Sequence, residues 1–143
     1  MASASRIVVP ISGQSSDAFT VELACLLAKQ DRSSIEPIYV IEVSRDLPID
    51  AELQEEIDRG EDLLADAEKQ IRAAGIPCET SLLQARDVGA AIVDEAMQAG
   101  ADTIVMGLTY KKRFGEYEIG PCASYVLKNA PCRVVVMRQP QTL

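Results

Sequence analysis

Two glycines, Gly107 and Gly120, bracket the part of the sequence best equipped to meet an anion. Gly120 is followed by Pro121, Cys122 and Ala123, the start of an apolar run with helical spacing. The amides of Cys122 and Ala123 have no intrahelical partner and would face a phosphate at the positive end of the helix dipole. Between the glycines stand Lys111, Lys112 and Arg113, which either cover phosphates with positive charge or form an exposed basic loop. Arg86, in the turn after an apolar strand, is a second candidate phosphate ligand, with an ordinary surface arginine as the alternative. Catalytic groups are scarcer. The chain has no histidine, which removes imidazole bases, histidine-dependent nucleophile dyads and most zinc sites. Only Glu116 and Glu118 bring carboxylates to this segment, and neither is a convincing base for activating water, so binding without turnover is expected. Cys122 reads as a packing residue rather than a reactive thiol.

The elements around these residues follow from periodicity. Arg6–Pro10 is a β-branched run stopped by Pro and then Gly13, hence a buried strand. Ser15, Ser16 and Asp17 offer capping side chains to a helix that carries Phe19, Leu23, Leu26 and Leu27 through Gln30. A second strand spans Ile35–Val43, with Pro37 near its start. Leu53, Ile57, Leu64, Ala67 and Ile71 make the apolar stripe of a long acidic helix, closed by Gly75 and Pro77. Cys78–Leu83 is a third strand, Val88 to Ala99 a third helix, and Thr103–Met106 a fourth strand. Residues 107–120 are expected to be loop. Pro121–Asn129 then forms a helix with Pro at its first position, and Arg133–Met137 a fifth strand. Strands apolar on both faces alternating with helices predict an α/β domain over residues 1–143, built on a mainly parallel sheet covered on each side. Ligands of such sheets bind beyond the carboxyl ends of the strands, which directs attention to the turns after Val9, Val40, Leu83 and Met106. The first turn, PISGQSSD, has a single Gly and therefore lacks the dinucleotide loop of a Rossmann enzyme.

The stretch VMGLTYKKRFGEYEIGPCASYVLKNAPCRVVVMR, from Val105 to Arg138, resembles the carboxy-terminal signature of the universal stress protein family. RIVVPISG and IYVIEV resemble that family's first two strands, so the resemblance covers nearly the whole chain. It implies a single open five-stranded parallel sheet of order 3-2-1-4-5 with helices on both faces. It also implies an adenosine site over the carboxyl ends of strands one, two and four. The family's contacts fall on Pro10, Ser12, Val40, Met106 and Gly107, with Gly13 in the same first turn. Phosphates would be held around Gly120, Cys122 and Ala123, with Lys111, Arg113 and Arg86 as further ligands. A homodimer through Val134, Val135, Val136 and Met137 is implied as well, and an apolar strand at a sheet edge invites such pairing. Two positions depart from the pattern. Tyr110 stands where the family has a second Gly, and Pro121 replaces a hydroxyl residue and lacks an N–H, which weakens a β,γ-phosphate cradle. Ser12 also replaces an Asp that the family commonly uses near the ribose.

The expected function is that of an adenine-nucleotide-binding stress or regulatory protein, acting through dimerisation and ligand-dependent loop order. ATP and AMP lead, ADP and a cyclic dinucleotide stay open, and a triphosphate would bring Mg2+ with it. The alternative is a nucleotide-independent dimeric scaffold with an unidentified protein partner, for which a membrane transporter is suggested by analogy. Composition bounds the partners. A net charge of −8 disfavours nucleic acid and anionic membrane surfaces. The cysteines Cys25, Cys78, Cys122 and Cys132 are widely spaced and read as reduced, and no signal-like or membrane-spanning run is evident, so the expected location is cytoplasmic.

Overall fold

The computed structural model describes residues 5–108, 110–113, 116–119 and 121–138. In chain order the elements are β1 (Arg6–Pro10), α1 (Asp17–Asp31), β2 (Ser34–Glu42), α2 (Gln54–Ala73), β3 (Ser81–Ala85) and α3 (Val88–Gln98). They continue with β4 (Thr103–Gly107), β5 (Tyr110–Arg113), β6 (Glu116–Ile119), α4 (Pro121–Asn129) and β7 (Arg133–Met137). Five strands form one parallel sheet in the order β3-β2-β1-β4-β7, which is the 3-2-1-4-5 order of the main-sheet strands. β1 lies at the centre, so the chain builds one half of the sheet outward from it and then crosses to build the other.

Alternation along the strands divides the core. Ile7, Val9, Ile35, Tyr39, Ile41 and Val105 are buried with α1 and α2, whereas Val8, Ile38, Ile104 and Met106 are buried with α3 and α4. A strand apolar at successive positions is satisfied only by covering both faces, which is the physical reason for this layered arrangement. Gly89 allows the two helices of the second layer to approach, because a Cβ there would lie 3.0 Å from the Cβ of Tyr125.

Two expectations are corrected. Residues 107–120 are not all loop, since β5 and β6 form an antiparallel hairpin that sets Lys111 opposite Glu118 and Arg113 opposite Glu116. β5 carries a run of like charges without apolar alternation, and the alternation of β6 lasts only four residues, which is why periodicity passes over the hairpin. The third strand is Ser81–Ala85 rather than Cys78–Leu83, and Cys78 makes only an isolated bridge to Ile35. Pro37 explains the break. It lies between that bridge and the ladder that starts at Ile38 and Ser81, and it has no N–H with which to join them. Among the described residues no helix is long and apolar enough to cross a membrane.

Candidate functional site

A cleft of about 360 Å³ opens at the carboxyl ends of β1, β2 and β4, where the chain changes sides of the sheet. Its floor is made by Pro10, Ile11 and Ser12 after β1, Ile38, Tyr39 and Val40 on β2, and Met106 and Gly107 on β4. Val88 and Ile92 of α3 form one wall, and Pro121, Cys122 and Ala123, the first turn of α4, form another. The volume suits a small organic ligand. None of the described lining residues carries a charged side chain.

The structure therefore brings together Pro10, Ser12, Val40, Met106, Gly107, Cys122 and Ala123 from distant parts of the sequence. Ile11, Ile38, Tyr39, Val88, Ile92 and Pro121 complete the cleft and are not among the contacts that the sequence singles out. The α3 residues give no sequence signal beyond ordinary core spacing, since only the α3–α4 crossing turns them towards the site.

The first turn is organised by Asp17. Its Oδ1 accepts hydrogen bonds from the Ser12 N–H at 3.1 Å and the Ser12 hydroxyl at 3.0 Å, and its Oδ2 accepts one from the Gly13 N–H at 2.8 Å. The Ser12 oxygen in turn accepts from the Gln14 N–H at 3.3 Å. Asp17 thus reaches backwards over the turn, while Ser16, the N-cap residue, makes no side-chain capping bond. Gly13 is outside the cleft. It takes a φ of +85° beneath the Arg59 guanidinium, a geometry and a spacing that both favour glycine.

Gly107 owes its identity to packing as well as position, for a Cβ there would lie 2.8 Å from the Thr20 Oγ1 and 3.3 Å from the Ser16 Oγ. Met106 is buried in the core and also lines the cleft. Burial, with a smaller contribution from the charge of Asp87, pushes the Cys122 thiol up, so it stays protonated at neutral pH and is a poor nucleophile.

Arg86 is not brought to the cleft. Its Nη1 donates to the carbonyls of Val43, at 3.4 Å, and Ser44, and it lines a separate groove with Asp87, Asp94 and Glu95. Lys111 and Arg113 lie on β5, where only the backbone is described, and Gly120 is outside the described residues. Val134, Val135, Val136 and Met137 are half-buried on β7, which pairs with β4 at one end of the sheet. Val134 and Val136 pack towards α3 and α4, and Val135 towards the opposite layer.

Comparison with known proteins agrees with this architecture. Residues 4–138 match the model of the universal stress protein family. Universal stress protein MJ0531 of Methanocaldococcus jannaschii is 30% identical over 142 residues, spanning 95% of this chain and 83% of that protein. A solved universal stress protein from Archaeoglobus fulgidus superposes with a TM-score of 0.78 at 23% identity, covering 92% of this chain and 97% of its own. The universal stress protein from Archaeoglobus fulgidus solved in complex with dAMP gives 0.73 at 24% identity, covering 92% and 96%. A match along almost the whole length, joined to a fold shared with solved members, means that the chain belongs to the universal stress protein family.

Proposed function

We propose that the cleft receives the adenosine part of an adenine nucleotide and that its occupancy regulates a partner without chemical turnover of the ligand. The observation that carries this reading is the apolar, switch-point cleft with the first turn of α4 as one wall. A flat purine gains from burial against Val40, Ile92 and Met106, while backbone groups at the ends of β1, β2 and β4 offer hydrogen bonds to its edge. The amides of Cys122 and Ala123 can then meet an α-phosphate at the positive end of α4. The related Archaeoglobus fulgidus protein in complex with dAMP supports an adenine nucleotide as the ligand class.

AMP is favoured over ATP. Pro121 is the first residue of α4 and has no N–H, so the helix end supplies one amide fewer for a longer phosphate chain. Among the described residues no group of three His, Cys, Asp or Glu side chains is arranged to hold a metal ion. Calorimetric titration with AMP, dAMP, ADP, ATP and a cyclic dinucleotide tests the reading, with saturable AMP binding as the expected result.

Dimerisation through β7 belongs to the same proposal. β7 ends the sheet, and its Val134 and Val136 backbone groups are turned away from β4, because Arg133 and Met137 make the pairing bonds to that strand. Such an edge is open to antiparallel pairing with a second copy. The reading as a nucleotide-independent scaffold is favoured by one observation, the Pro121 start of α4, and the same titration separates the two.

A further inference from the structure

The chain has no histidine, so a response near neutral pH would have to come from another group. One arrangement supplies it, at the end of the sheet away from the cleft. Glu36 lies in the interior of β2, 3% exposed, opposite Val8 in the register and therefore on the face covered by α3. Its Oε1 is 3.4 Å from the Arg6 Nη1 on β1, and its Oε2 accepts a 2.6 Å hydrogen bond from the Ser81 hydroxyl on β3. Glu95 projects from α3 on the side of Glu36, near enough for the two carboxyls to share a proton. Two carboxyl groups can bond to each other only while one of them keeps its proton. Arg6 balances the single charge that remains, although it is shared with exposed Glu79 at 3.5 Å.

We propose that Glu36 and Glu95 form a proton-operated latch that ties α3 to the sheet, and that losing the shared proton loosens the wall of the cleft built by Val88 and Ile92. Val88, Ile92 and Glu95 follow one another at helical spacing, so one face of α3 carries both the cleft wall and the latch. The outer side of Glu95 faces the groove it shares with Arg86, Asp87 and Asp94, which gives the proton a route to solvent. The charged groups along that groove are Asp87 and Asp94, which are acidic, and Arg86, which stays cationic while its guanidinium is held by the carbonyls of Val43 and Ser44.

The direction of the response follows from linkage. The bond to Glu36, then burial, then the charge of Glu36 push the Glu95 carboxyl up to about 7 from its ordinary 4.5, and Arg6 opposes this in part. A closed latch holds its proton more tightly than an open one, whose carboxyl has the ordinary value. The latch is therefore fully formed at acid pH and weakens as pH rises from 4.5 through about 7.

The test needs no nucleotide, so its outcome is independent of the ligand assignment. Amide exchange protection of Ile92 to Ala96, corrected for intrinsic rates, is measured in the full chain at about pH 6 and about pH 8. Protection should fall up to about tenfold in the wild type and stay level in E95Q, whose amide has no proton to lose over this range and can donate to Glu36 throughout. A wild-type protection that does not change, or an equal fall in both proteins, overturns the latch. Should E95Q fail to fold, carbon-13 titration of the wild-type glutamate carboxyls decides. One carboxyl titrating near 7 supports the latch, and all of them titrating in the ordinary range, about 4 to 5, contradicts it.

Discussion

A side chain at position 107 would collide with Thr20, since its Cβ would lie 2.8 Å from the threonine Oγ1. The first turn of α1 passes that close over the end of β4, with the Thr20 hydroxyl bonded to the Ser16 carbonyl at 3.0 Å. Packing therefore favours glycine at a position that also lines the cleft.

Substituting Gly107→Ala should cost about 1–3 kcal/mol of stability, the usual scale of overpacking a dense site. Denaturant midpoints of G107A, T20A and the double variant measure the coupling. Recovery of part of the loss in the double variant is expected, and strict additivity would show that Thr20 is not the obstacle.

Asp17 holds the first turn through three hydrogen bonds, two to Ser12 and one to Gly13. Asp17→Ala should destabilise the fold by about 1–2 kcal/mol and weaken AMP binding, because the turn that contributes Pro10 and Ser12 loses its acceptor. D17N, which keeps one oxygen, should fall between the wild type and D17A in thermal unfolding.

Arg86 points into a different groove and is held by backbone carbonyls of the turn after β2. Arg86→Ala is expected to leave AMP affinity within about twofold of the wild type, a change below about 0.5 kcal/mol. A tenfold loss in titration would mean that Arg86 does reach the ligand.

On β7 the odd-numbered residues pair with β4 and the even-numbered ones offer their N–H groups to the open edge. Val136→Pro removes an outward N–H while sparing the bonds to β4. Sedimentation should give a dimer for the wild type and a species near 15.5 kDa for V136P. A wild-type monomer at all working concentrations would remove the dimer proposal.

Much of this architecture is legible in the sequence because local chemistry and global fold agree there. Pro10 ends β1, Pro121 starts α4, and the unbroken β-branched run of β7 is buried only as a sheet strand. The shifts arise where one residue overrides its segment, as Pro37 does in delaying β3, or where pairing depends on a partner strand, as in the charged β5–β6 hairpin. The floor of the cleft could be named from the resemblance, through Pro10, Ser12, Val40, Met106 and Gly107. Its α3 wall could not, because Val88 and Ile92 differ from ordinary core residues only in lying beside the α4 terminus. Arg86 illustrates the converse, a long side chain whose terminal group is turned by carbonyls distant in sequence.

The central claim is tested most directly by calorimetric titration of AMP into the wild type and into Val40→Trp, a variant whose indole fills the cleft. The account predicts one saturable site per chain in the wild type and at least about a hundredfold weaker binding in V40W, a loss of about 3 kcal/mol. Absence of heat with the wild type at millimolar AMP, or undiminished binding by a folded V40W, would contradict it.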